Sequence, residues 1–105
     1  MIDRQIIEKA VDELVAAAKP ERVILFGSYA RNEAREDSDV DLLVVMRDVK
    51  SPHKEMIRLR RRLSSLNIPV DLLVVSKAQF EKWSEASSTT LYWAKREGKV
   101  MYEAA

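Results

Sequence analysis

Three aspartates carry the chemistry this sequence advertises. Asp39 and Asp41 stand two residues apart, and the hexapeptide VDLLVV occurs twice, at 40–45 and 70–75, with Asp41 and Asp71 as its second residue. A carboxylate at the mouth of an apolar strand is costly unless it is exposed, paired or bound to a cation. On extended backbone, residues i and i+2 point to one face, so Asp39 and Asp41 share a side. Clustered carboxylates repel one another. One or two divalent cations relieve that repulsion and can hold a polyphosphate in the same place. Gly27-Ser28, directly after the run RVILF, supplies the complementary element. A glycine there lets backbone approach a phosphate closely. The first N–H groups of the following turn and the Ser28 hydroxyl can donate to it. Arg31, one turn later, can reach the same anion.

The elements that must position these residues follow from periodicity and breakers. Ile6, Ile7, Ala10, Val11, Leu14, Val15 and Ala18 have helical spacing over 3–18, with Asp3 as N-cap and Pro20 just past the end. Residues 22–26, 40–46 and 70–75 are short, β-branched and apolar, hence strands. A helical turn is expected in YARNEA, followed by a charged loop. Ser51-Pro52 opens a helix with Met56, Leu59, Leu63 and Leu66 on one face. Ser76-Lys77-Ala78-Gln79 has capping-box form. A further helix ends near Glu97, with Gly98 placed to terminate it and KVMY as a last edge strand. The order αβαβαβαα(β) predicts an α+β fold, a two-layer sandwich with a mixed sheet. If strands 40–46 and 70–75 are parallel neighbours joined through a helix, Asp71 lies beside Asp41. If strand 22–26 runs antiparallel to strand 40–46, Gly27 and Ser28 meet the acids at one spot.

Composition bounds the function. The chain has 105 residues, 47% hydrophobic and 33% charged, which predicts one folded domain over 1–105. Lys+Arg is 18 and Asp+Glu 17, so nucleic acid is not the default partner. With no cysteine and a single histidine, any metal must be held by oxygen ligands. No apolar run is long enough for a membrane span, and a cytoplasmic location is expected.

Gly27-Ser28, ten residues, then Asp39-x-Asp41 resembles the signature of the DNA polymerase β-like nucleotidyltransferases. The compact GSYAR…DSDVDLLVV form is similar to the minimal nucleotidyltransferase (MNT) family, over most of the chain. The resemblance implies a polymerase β-like fold and transfer of a nucleoside monophosphate, AMP from ATP, to a hydroxyl with release of pyrophosphate. It implies that Asp39 and Asp41 hold paired Mg²⁺ ions, that Asp71 is a third metal ligand and base, and that Gly27 and Ser28 hold the triphosphate. Where relatives often have glycine, this chain has Asn32, which tolerates a left-handed backbone. Family members resemble the antitoxin halves of two-gene modules. Their partner is a helical HEPN-type ribonuclease, silenced when AMP is transferred to its tyrosine.

Other residues have plainer readings. Tyr29 is expected to pack, His53 to be an exposed first-turn residue, and Arg58, Arg60, Arg61 and Arg62 to form a solvated face. Leu91, Tyr92 and Trp93 spread over about 200° of a helix and cannot all face inward. That segment is the first candidate for a partner-docking surface. Two rivals differ in class. One is a regulatory domain that binds nucleotide or partner without transfer. The other is a haloacid-dehalogenase-like phosphatase, whose acids follow a strand's end rather than precede a strand.

Overall fold

The structure, a computed structural model, describes residues 1–105. Helix α1 (Arg4–Ala18) starts at Asp3, whose side chain accepts from the Gln5 N–H, and ends at Lys19 in the left-handed conformation. Strand β1 (Arg22–Phe26) leads directly into the one-turn helix α2 (Gly27–Ala30). Strand β2 (Val40–Met46) is followed by α3 (Pro52–Leu63), capped by the Ser51 hydroxyl with Pro52 in the first turn. A 3₁₀ turn (Ser64–Leu66) leads to β3 (Val70–Ser76). Helix α4 (Lys77–Trp83) carries the expected capping box between Ser76 and Gln79, and α5 (Thr90–Glu97) and the edge strand β4 (Lys99–Glu103) complete the chain.

The four strands run β3-β2-β1-β4. β1 is antiparallel to both β2 and β4, and β2 and β3 are parallel. The sheet is therefore mixed, as expected. The repeated hexapeptide has a direct structural meaning. Its two copies lie side by side in register, Val40 beside Val70, Asp41 beside Asp71, through to Val45 beside Val75. A parallel pair needs a crossover, and α3 supplies it. β2, in the middle, is apolar from Leu42 to Met46 because it is covered on both faces.

One face of the sheet, with Val23, Leu25, Leu42, Val44, Leu72 and Val74, packs on α1 and α3 through Ile7, Ala10, Val11, Leu14, Leu59 and Leu63. The other face, with Ile24, Leu43 and Val45, packs on Phe80 of α4 and Ala94 of α5. A two-layer count leaves that second face bare. It is covered because the odd-numbered strand positions are as apolar as the even ones, so water must be excluded from both sides.

Two local details refine the sequence reading. The helix after β1 begins at Gly27 itself rather than further along. Gly98 ends α5 in extended conformation (φ −73°, ψ 161°), not in the left-handed form of a usual glycine stop. Space explains the residue there: a Cβ on Gly98 would lie 2.2 Å from the Ala94 carbonyl oxygen and 2.5 Å from Ile24 Cγ2.

Candidate active site

The starts of β2 and β3 are tied together by the Val40 N–H, which donates to the Pro69 carbonyl at 2.8 Å. This fixes the level at which Asp41 and Asp71 sit side by side. From the other flank β1 arrives antiparallel, and its last residue, Phe26, pairs with Asp41. Gly27 therefore meets the Asp41 side chain. Its φ is +72°, and an added Cβ would stand 2.0 Å from Asp41 Oδ2 and 2.9 Å from Cγ. Only glycine accepts both that backbone and that neighbour without displacement. The turn closes through the Arg31 N–H on the Gly27 carbonyl (3.1 Å) and the Glu33 N–H on the Ser28 carbonyl (2.9 Å). Asn32 takes the left-handed conformation at φ 61°, as its residue type allows.

Burial pushes the Asp41 carboxyl up to about 6, and the neighbouring charges of Asp71 and Asp39 add to the effect, with Arg31 opposing it. Asp41 thus feels both of the other acids. The three do not, however, converge into one ligand group: no set of three carboxylate or imidazole side chains is close enough to hold a metal by itself. Asp41 is half-buried against Gly27, whereas exposed Asp39 lines a cleft with Asp71 on the α3 side. The donors that remain suit Mg²⁺. That ion is typically held by one or two carboxylates and completed by substrate phosphates, not by an all-protein cage.

Two open clefts flank the acids. One, about 440 Å³, is lined by Asp39, Arg60, Leu63, Ser64, Pro69 and Asp71, among others. The other, about 430 Å³, is lined by Phe26, Gly27, Arg31, Thr90, Trp93 and Glu97. Gly27, Ser28, Asp39, Asp41 and Asp71 are thus gathered at one end of the sheet. Arg31 borders the site and pairs with Glu33 at 3.6 Å. Arg60 is exposed, as expected of a solvated face, and it also lines the first cleft. The signal for the cleft is positional: Arg60 lies in the last turn of α3, which the short connection 64–69 returns to the start of β3. Arg58 and Arg62 do sit on the surface, paired with Glu55 and Glu13. Tyr29 packs against the larger core, and its hydroxyl accepts from the Ile2 N–H at 2.9 Å. His53 is exposed.

Asp41 titrates in the folded chain near 6 and in the unfolded chain near its ordinary 3.8. Between those values the folded state binds more protons, so stability falls as pH rises through that window. Asp41→Asn removes the penalty. In EDTA the variant is expected to melt a few degrees above wild type at pH 7.5, with the gain fading below pH 6 and gone near pH 4. Thermal melts across that range check it; a variant no more stable than wild type at pH 7.5 would contradict the repulsion argument.

A mixed sheet with acids at paired strand starts and a glycine turn opposite them defines a nucleotidyltransferase-type α+β domain. The comparisons make the assignment specific. A profile of the nucleotidyltransferase domain matches residues 5–95. A relative from Methanocaldococcus jannaschii, provisionally named a protein adenylyltransferase, is 34% identical over 105 residues, spanning 90% of this chain and 97% of its own. A solved structure provisionally described as a minimal nucleotidyltransferase superposes with TM-score 0.60 at 33% identity, covering 90% of this chain and 89% of that one. The fold also matches a chain in the structure of a tri-AMPylated Shewanella oneidensis HEPN toxin in complex with MNT antitoxin. There the TM-score is 0.61 and identity 22%, covering 97% of this chain and 74% of that one. The chain belongs to the nucleotidyltransferase domain family.

Proposed function

We propose that this domain transfers AMP from ATP to a hydroxyl of a partner protein, a HEPN-type toxin tyrosine, and acts as its antitoxin. The observation that carries the reading is the register: Asp41 beside Asp71, with Phe26-Gly27 opposite Asp41. The relative named for protein adenylylation supports the donor and the class of acceptor. The fold shared with a HEPN–MNT complex supports the partner.

In this reading Gly27 and Ser28 cradle the triphosphate, and Arg31 stands at its edge. Asp39 and Asp41 would hold Mg²⁺, which supplies charge neutralisation of the triphosphate and the leaving pyrophosphate. Asp71 lies in the α3-side cleft, and the acceptor hydroxyl enters there. A tyrosine phenol has a pKa near 10, so its proton must be taken as attack begins. Asp71 receives that proton. The phenolate oxygen forms a bond to the α-phosphorus while the bond from that phosphorus to the bridging oxygen breaks. Pyrophosphate leaves in line, and the partner retains AMP. Arg60, in the same cleft, is positioned to meet an acidic group flanking the acceptor.

The chemistry is tested with ATP labelled in turn at the α- and γ-phosphates. Mixed with Mg²⁺ and the protein encoded beside it, the chain is expected to transfer α-label and release γ-label as pyrophosphate. Protein-bound γ-label would instead indicate phosphoryl transfer and overturn the reading.

A further inference from the structure

Trp93 is half exposed (50%), although a tryptophan left in water forfeits a large apolar area. It lies on α5 with Leu91 and Tyr92 partly buried beside it, and the Tyr92 ring meets it edge-on at 5.1 Å and 85°. The Tyr92 ring is in turn covered by the Arg96 guanidinium at 5.4 Å. The indole is therefore braced from within the helix, with its outer surface free. Its position is specific: it walls the 430 Å³ cleft whose opposite side is Phe26, Gly27 and Arg31. Gly27 is the residue in contact with Asp41.

Strand phase puts this cleft on the correct side of the sheet for a donor nucleotide. Asp41 continues the odd-numbered row of Leu43 and Val45, and that is the face α5 covers. The α3-side cleft, by contrast, holds Asp39, Asp71 and Arg60 and presents no aromatic ring. A nucleotide whose phosphates lie at Gly27-Ser28 has two directions for its base. Only one leads to a flat, braced, solvent-facing ring.

We infer that the cleft between Gly27–Arg31 and α5 receives the nucleobase of the triphosphate, and that Trp93 is the platform on which the base stacks. The inference rests on the nucleotide reading above and deepens it: it assigns a base-binding residue to a site so far defined by its phosphate end. It also moves Trp93 from a partner-docking role to substrate binding. Stacking of a base on an aromatic side chain tolerates base identity, because every base has a π-face.

The test compares binding of Mg²⁺-ATP with binding of Mg²⁺-tripolyphosphate, which has the phosphates and no base. Wild type is expected to prefer ATP. Trp93→Ala should weaken ATP binding about tenfold or more and leave tripolyphosphate unchanged, while Trp93→Phe keeps most of the preference. Tripolyphosphate binding by the variant also reports that its phosphate site is folded. Unchanged ATP affinity in Trp93→Ala, as a docking surface for protein would give, overturns the inference. So does equal weakening of both ligands. Equal affinity of wild type for the two ligands removes the base platform alone; binding of neither removes the nucleotide reading together with it.

Discussion

A double variant carrying Asp39→Asn and Asp41→Asn is expected to lose magnesium-dependent nucleotidyl transfer by on the order of 10³-fold or more while remaining folded. The carboxamides match the carboxylates in shape but carry no charge to hold a divalent cation. Without that charge the triphosphate of the proposed reaction would meet only the Gly27 turn and Arg31. Folding does not depend on the two charges. Asp39 is exposed ahead of β2, and Asp41 sits where burial and its acidic neighbours oppose ionisation. Rate and melting temperature should therefore move in opposite directions, a loss of turnover beside an unchanged or raised Tm. Transfer at the wild-type rate in the double variant would remove these aspartates from the chemistry.

The second large effect is expected at a residue with no reactive group. Gly27→Ala places a methyl where Asp41 Oδ2 now stands, 2.0 Å away, on a backbone at φ +72°. The left-handed conformation costs a non-glycine residue roughly 1–2 kcal/mol, which lowers stability without abolishing the fold. The collision is the more serious matter. Asp41 can swing aside, being the free end of a side chain, but the carboxylate then leaves the position that the proposed transfer requires of it. Displacement of a catalytic group by about 1 Å costs on the order of 10²-fold. Turnover should fall by about that factor, with Tm lowered by a few degrees. Parallel kinetics and thermal melts separate the two effects, and near-normal turnover would mean that the Gly27–Asp41 contact is incidental.

Much of this site is legible in the sequence because the fold writes it locally. Two copies of VDLLVV can pair in register, and a 12-residue helix between them makes the pair parallel. The breakers are few, so Gly27, Pro52 and Pro69 each mark a boundary. What could not be read depends on packing between elements distant in sequence. No periodicity says that α5 returns across the second face and sets Trp93 against the turn after β1. Nor does spacing reveal that Asp39 and Asp41, two residues apart, divide between a cleft and a glycine contact. Asp39 precedes the strand, and its backbone is not held to the strand's alternation. Gly98 looked like a conformational stop and is instead a close approach of α5's end to β1.

In the proposed reaction the acceptor is a hydroxyl on a second protein. Intact-mass spectrometry of that protein tests it most directly. The chain is mixed with Mg²⁺, ATP and the product of its neighbouring gene, and the Asp39→Asn, Asp41→Asn variant serves as control. Gains of about 329 Da per AMP are expected on the partner, mapping to tyrosine and absent with the variant. A partner that binds the intact chain yet gains no mass would contradict the proposed reaction and leave a domain that binds without transfer.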